Sequence, residues 1–243
     1  MEKVYLILGA SSDIALELLR RLDTEKAVVY ATYFSDESSL KKVAGECKHL
    51  SIIPIKCDMS DEAEVCKLIN EVAGRAITHI IHMAAAAFRN MRIRDWDADR
   101  VKMELEVGTL SFAKICSSIL PEMSKRRFGK VVVLLTSFVI GKPPKYMADY
   151  VLSKYALLGY TKALAVEYGD KGINVNALSP SMVETKFLKN LDERVVENDA
   201  LNSTMKRHVT AGEVADNIVY LCSDGSNYMN GVNLVLSGGD VMQ

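Results

Sequence analysis

Short runs of branched and aliphatic residues recur along the chain, separated by longer stretches in which apolar positions return every three or four residues. Val4–Leu8, Ala27–Tyr33, Ser51–Ile55, Thr78–Met83, Lys130–Leu135, Ile173–Leu178 and Val232–Leu236 read as seven strands. Each is apolar almost throughout rather than at alternate positions, the pattern of a parallel sheet buried on both faces. The helical period covers Ile14–Leu22, Ser39–Cys47, Glu62–Ala73, a long segment through Arg100–Lys125, Tyr150–Tyr168 and Ala211–Cys222. Strand and helix alternate, so right-handed crossovers predict an α/β, Rossmann-type doubly wound domain with a seven-stranded parallel sheet. Ligands of such a sheet sit beyond the carboxyl ends of its strands.

At 243 residues the chain suits one well-buried domain, 1–243, better than two. The weakly patterned stretch is 182–209, polar but dotted with Phe187, Leu188, Leu191, Val195, Val196, Leu201 and Met205. A net charge of −1 argues against general nucleic-acid binding, which needs a clustered basic excess. Five cysteines, Cys47, Cys57, Cys66, Cys116 and Cys222, are widely spaced with no Cys-x-x-Cys pair. They read as reduced thiols of a cytoplasmic protein, and no metal site is expected. No apolar run reaches the roughly 20 residues of a membrane helix, and Met1-Glu-Lys leads directly into a strand without a signal peptide.

Candidate chemistry begins at Tyr150-Val-Leu-Ser-Lys154. A Tyr and a Lys four apart on a helix share one face, and a nearby ammonium favours the phenolate, moving a pKa of about 10 toward neutrality. Taken alone, the spacing fits a surface pair equally well. Ser137 follows the apolar run Val131–Leu135, thirteen positions before Tyr150, and Gly9-Ala-Ser-Ser-Asp13-Ile-Ala15 follows the first strand. Gly9, Asp58, Ser137, Tyr150 with Lys154, and Pro180 with Thr185 stand in the order and spacing of the short-chain dehydrogenase/reductase pattern, which the chain resembles over nearly its whole length.

The resemblance implies a dinucleotide held by Gly9, Ser11, Ser12, Ile14, Ser35, Asp58, Met59, Met83, Ala84, Tyr150, Lys154, Pro180, Val183 and Thr185. Two of the three family glycines are missing, replaced by Asp13 and Ala15. Asp13 either repels a pyrophosphate or caps the helix it opens and points away, the reading favoured here. Thr32-Tyr33-Phe34-Ser35 ends the second strand without the acid that would hold NAD ribose, which favours NADP, with NAD the alternative because no Arg or Lys stands there either. Ser12 occupies another position where NADP-binding relatives often carry a base. Asp58 matches the adenine-bonding residue, or is an ordinary turn Asp. The family's Asn-Asn-Ala-Gly appears as His82-Met83-Ala84-Ala85, and His82 is expected to satisfy backbone groups rather than to catalyse.

The resemblance also implies that Ser137 and Tyr150 are hydrogen-bond donors to a substrate carbonyl, that Tyr150 is the general acid/base, and that Lys154 holds the nicotinamide ribose and lowers the Tyr150 pKa. The family's helix Asn, which anchors a relay water, aligns with Leu105, so Glu104 or Glu106 would have to replace it, or proton resupply is slower, or the chemistry is lost. Ser181 replaces the usual Gly after Pro180. Arg126-Arg-Phe-Gly129 and the ending Asn233–Met242 are similar to bacterial 3-oxoacyl-[acyl-carrier-protein] reductases. Arg126, Arg127, Lys171, Lys206 and Arg207 would offer an acyl carrier protein a basic surface, or are merely solvated. The 182–209 stretch would be the substrate lid. Phe112, Ile115, Ile119, Leu157, Leu158 and Leu164 offer more apolar positions than one sheet contact requires, and a homotetramer is expected. Two functions remain: an NADP-dependent ketone reductase, and a nucleotide-binding scaffold or sensor with impaired catalysis.

Overall fold

Strand β1 (Lys3–Leu8) sends Val4, Leu6 and Leu8 to one face of the sheet and Tyr5 and Ile7 to the other, and all five are buried. A strand with both faces buried must have helices on both sides, which explains why its sequence reads as an unbroken apolar run. The computed structural model describes residues 2–87, 89–186, 188 and 192–242. The chain continues through α1 (Asp13–Leu22), β2 (Ala27–Tyr33), α2 (Glu37–Glu46), β3 (Leu50–Lys56), α3 (Glu62–Val72), β4 (His79–His82), α4 (Ala98–Leu105), α5 (Ser111–Arg126), β5 (Gly129–Leu134), α6 (Ala148–Tyr168) and β6 (Ile173–Pro180). It ends with β7 (Val183–Glu184), α7 (Glu193–Asn202), β8 (Val209–Thr210), α8 (Ala211–Cys222) and β9 (Asn233–Leu236).

Seven strands form one parallel sheet, as the sequence pattern predicts, and their order is β3-β2-β1-β4-β5-β6-β9. Helices α3, α5 and α6 cover one face through residues such as Leu68, Phe112 and Leu157. Helices α1, α2 and α8 cover the other through Leu18, Leu40 and Ile218. Strand order reverses between β1 and β4, so the connections leaving their carboxyl ends run to opposite faces of the sheet and leave a crevice between them. All five cysteines are free thiols. Among the described residues no helix is long and apolar enough to cross a membrane.

Four features depart from the sequence-based expectation. The long helix is not continuous: a π-turn at Glu106–Leu110 separates α4 from α5. The stretch 182–209 contains the short parallel pair β7–β8, with Val183 opposite Val209, and the helix α7, none of whose described residues is buried. Val195, Leu201 and Met205 of this stretch are exposed, whereas Phe187 and Leu191 lie outside the described residues. Phe112, Ile115, Ile119, Leu157 and Leu164 are not surplus: they are buried in the monomer's own core, with Leu158 packed against it. The apolar side chains left exposed on these helices are Met103, Leu110, Leu152, Tyr155 and Val166.

Candidate active site

Gly9 ends β1 at φ +81°, a conformation that favours glycine, and a Cβ there would lie 2.8 Å from the Ala84 backbone nitrogen. The turn is held from β2, since Gly9 N–H donates to the Thr32 hydroxyl (3.0 Å) and Ala10 N–H to the Thr32 carbonyl (2.7 Å). Ser11 lies in the turn, Ser12 caps α1 by accepting from Ala15 N–H at 3.3 Å, and Ile14 is buried behind it. The cap is therefore Ser12 and not Asp13. Asp13 instead reaches across to the segment after β7, where it accepts the Lys186 backbone N–H at 2.5 Å and lies 3.6 Å from the Lys186 ammonium. Its charge is thereby countered by a residue 173 positions away, which no local pattern signals.

The other dinucleotide candidates also gather at the carboxyl edge. Met83 and Ala84 are buried just past β4, and Pro180 is buried at the end of β6. Val183 lies in β7, and the Thr185 hydroxyl donates to its carbonyl at 3.3 Å. Ser35 is exposed beyond β2. Asp58 uses one carboxylate oxygen locally, accepting from Ser60 N–H (2.8 Å) and from the Ser60 hydroxyl (2.7 Å), with Met59 buried between them. The hydrogen bonds of an ordinary turn Asp are thus present at Asp58.

Tyr150 and Lys154 lie on α6, whose first half is aimed at the carboxyl end of β5. The Lys154 ammonium sits over the Tyr150 ring, 5.7 Å from its centre, and donates to the Leu134 carbonyl at 2.9 Å. Burial pulls the Lys154 pKa down to about 8, with the Glu104 charge opposing. The expected lowering of the Tyr150 pKa is not what this geometry gives. Burial pushes the phenol up to about 12, the Thr136 hydroxyl offsets part of the rise, and Glu104 adds to it. The physical reason is burial of the phenol, while the ammonium is engaged by the Leu134 carbonyl and lies over the ring. Tyr150 is accordingly a protonated acid at neutral pH. Ser137 is buried at the start of a single 3₁₀ turn, Ser137–Val139, that packs against α6. Thr136, beside it, was not singled out from the sequence.

A buried ionic cluster stands next to this pair. Arg100 Nε donates to Asp149 at 2.5 Å and Nη2 to Glu104 at 3.3 Å. The same Nη2 lies 3.4 Å from the Ala87 carbonyl and 3.3 Å from that of Arg89, tying the β4–α4 loop to α6. Asp149 is 1% exposed, directly precedes Tyr150, and keeps its second oxygen without a partner. Glu104, 4% exposed, is the carboxylate that faces inward from the long helix, while Leu105 and Glu106 are only half-buried. Burial raises the Glu104 pKa, against the opposing pull of Arg100. Of the two glutamates weighed as replacements for the missing Asn, Glu104 is the one that reaches the Lys154 environment.

The π-turn lies where the chain packs closely against α6. Gly108 faces Ser153, whose oxygen would lie 2.5 Å from a Cβ at position 108, and the Thr109 hydroxyl donates to the Ser153 carbonyl at 3.1 Å. His82 Nε2–H donates to the Gly108 carbonyl at 2.8 Å, and the ring stacks on Phe112 at 4.5 Å. Burial holds the His82 pKa down to about 3. It is therefore a neutral residue satisfying backbone, as expected. The five basic residues considered for carrier docking divide into two groups: Arg126, Arg127 and Lys171 precede β5 and β6, whereas Lys206 and Arg207 precede β8. Because β8 pairs with β7, which follows the carboxyl end of β6, the two groups lie toward opposite ends of the sheet's strands.

A family model described as enoyl-(acyl carrier protein) reductase matches residues 9–240. The chain is 30% identical over 245 aligned positions to mouse dehydrogenase/reductase SDR family member 4, spanning 98% of this chain and 86% of that protein. It is 29% identical over 255 positions to the oxidoreductase UcpA of Salmonella typhimurium, covering 99% of this chain and 95% of that one. Among solved structures, a 3-oxoacyl-[acyl-carrier protein] reductase from Brucella melitensis superposes with a TM-score of 0.89 at 23% identity, covering 100% of this chain and 92% of the other.

Proposed function

The chain belongs to the short-chain dehydrogenase/reductase family, and from that premise we propose that it is an NADP-dependent reductase that converts a ketone into a secondary alcohol. The observation that carries the reading is the buried Lys154 ammonium lying over the Tyr150 ring at the carboxyl edge of the sheet. The residues present fit a dinucleotide. The Gly9 turn packs closely against the Ala84 backbone where α1 begins to form, and Asp13, a carboxylate that would repel a pyrophosphate, is countered by Lys186. The bound cofactor supplies the hydride. Tyr150, protonated at neutral pH, delivers the proton to the carbonyl oxygen, and Ser137 donates a second hydrogen bond to it. Lys154, Asp58, Met83, Pro180 and Thr185 line the cofactor side.

NADP is preferred over NAD in this reading because Thr32, Tyr33 and Ser35 present no carboxylate to exclude a 2′-phosphate, and the Thr32 side chain is occupied by Gly9. The substrate class we favour is a 3-oxoacyl thioester or a related small ketone, free or on an acyl carrier protein. Support comes from the 33% identity to a Buchnera aphidicola 3-oxoacyl-[acyl-carrier-protein] reductase over 153 positions, 63% of this chain and 60% of that one. The exposed Leu110, Leu152, Tyr155 and Val166 support assembly into a homotetramer. Oxidation of NADPH against a carbonyl panel that includes acetoacetyl thioesters tests the proposal. Tyr150→Phe should lower turnover about 100-fold while cofactor affinity changes little. A variant keeping a third of wild-type turnover would remove Tyr150 from the role of acid, and tighter binding of NADH than NADPH would reverse the cofactor assignment.

A further inference from the structure

Beside the catalytic candidates, the loops that follow β4 and β5 close on each other. Met91 and Met147 form an isolated bridge, with Met91 N–H donating to the Tyr146 carbonyl at 2.8 Å. Tyr146 is held at φ +66°, in the left-handed region that a bulky side chain rarely occupies, so the surrounding structure must impose it. Arg92 lies over its ring, 5.7 Å from the centre. Between the loops is an open cleft of about 450 Å³ lined by Arg92, Ile93, Arg94, Lys145 and Tyr146. Three cations and no carboxylate line it among the described residues. An adjoining cleft of about 430 Å³ reaches Arg100, whose partner Asp149 is the neighbour of Tyr150. Asp95 and Asp97 belong to that second cleft, and Asp97 is engaged in capping α4. Arg94 lies 3.7 Å from Asp95, an exposed pair that leaves its guanidinium free to turn to a ligand.

We propose that Arg92, Arg94 and Lys145 form an anion-recognising subsite, so that the ketone accepted by Tyr150 carries a carboxylate or a phosphate at its non-reacting end. Planar guanidinium forks match either group, and Ile93 and Tyr146 supply the apolar wall that shields the chain between anion and carbonyl. The cations stand on the loops that follow Met83–Ala84 and Ser137, the second leading into the α6 helix that carries Tyr150, and not on the 182–209 stretch. Nothing in the catalytic chemistry itself requires them there.

The proposal rests on the ketone-reductase reading, and the experiment keeps the two apart. Turnover of acetoacetate is compared with that of its neutral ethyl ester, and turnover of dihydroxyacetone phosphate with that of dihydroxyacetone, with acetoacetyl-CoA as the thioester arm. The acid or phosphate is expected to be favoured at least tenfold in KM over its neutral counterpart. The preference should shrink about tenfold in Arg92→Ala and in Lys145→Ala, each loss being that of a charge-assisted contact. Lys162→Ala, an exposed lysine elsewhere on α6, should leave it intact. The acetoacetate and phosphate arms then identify which anion the subsite takes. Equal use of charged and neutral ketones, or a preference that survives both variants, overturns the subsite. If no ketone of the panel is reduced, calorimetric titration with acetoacetate and with dihydroxyacetone phosphate still decides it. Binding lost in Arg92→Ala but kept in Lys162→Ala upholds the anion site without the reductase, and no binding rejects it.

Discussion

Replacing Arg100 with leucine keeps most of the aliphatic volume but leaves Asp149 and Glu104 in the interior without their cation. Their exposures are 1% and 4%, so solvent cannot take the place of the guanidinium. Breaking a buried pair from one side costs about 3–5 kcal/mol, because the remaining charge stays desolvated and uncompensated. Here one guanidinium serves two carboxylates and the carbonyls of Ala87 and Arg89. The upper part of that range is expected, a large share of the 5–15 kcal/mol that holds a typical domain. The loss must depend on pH with a definite sign. Burial raises the Glu104 pKa above its unfolded value of about 4 even with the arginine present, and without Arg100 the opposing pull is gone. Groups raised in this way contribute stability that is complete below the unfolded pKa and is lost as pH rises through the folded one. The gap between wild type and Arg100→Leu should therefore be narrow at pH 5 and wide at pH 8. Urea unfolding followed by circular dichroism at the two pH values measures it. Trp96, the single tryptophan, reports the neighbouring loop separately. A gap below about 1 kcal/mol at pH 8, or one that does not narrow on acidification, would refute the assignment of Arg100 as the buried counter-ion.

Gly108→Ala places a methyl group against the Ser153 hydroxyl, which is itself held by donating to the Glu104 carbonyl at 2.8 Å; a loss of about 1–3 kcal/mol is expected, and Ser153→Ala should recover part of it in a double-mutant cycle. Asp13→Ala removes the acceptor that fixes Lys186, so tryptic cleavage at Lys186 should accelerate several-fold while far-ultraviolet circular dichroism stays unchanged; equal cleavage rates would mean the contact does not hold the segment. Leu110→Glu, at a position 51% exposed in the monomer, should shift a tetramer toward smaller species by light scattering, and a wild-type monomer at micromolar concentration would remove the basis for the test.

The order of strands and helices was fixed locally. Seven mostly apolar runs, each set off by polar turns, suit a sheet covered on both faces, and right-handed crossovers limit the topologies open to them. The same locality made Gly9, Ser137 and the Tyr150–Lys154 pair readable, since each is defined by its place just past a strand or by spacing along one helix. What the sequence could not decide were contacts between distant segments. The Asp13–Lys186 contact, the Arg100 cluster that joins three elements, and the π-turn where Gly108 meets Ser153 leave no trace in any window of ten or twenty residues. Electrostatics followed the same division. That Tyr150 and Lys154 share a helix face was legible, but the direction of the tyrosine's pKa depended on how deeply the phenol was buried and on Thr136 and Glu104 beside it. Desolvation is a property of the packed interior, and only the tertiary structure determines it.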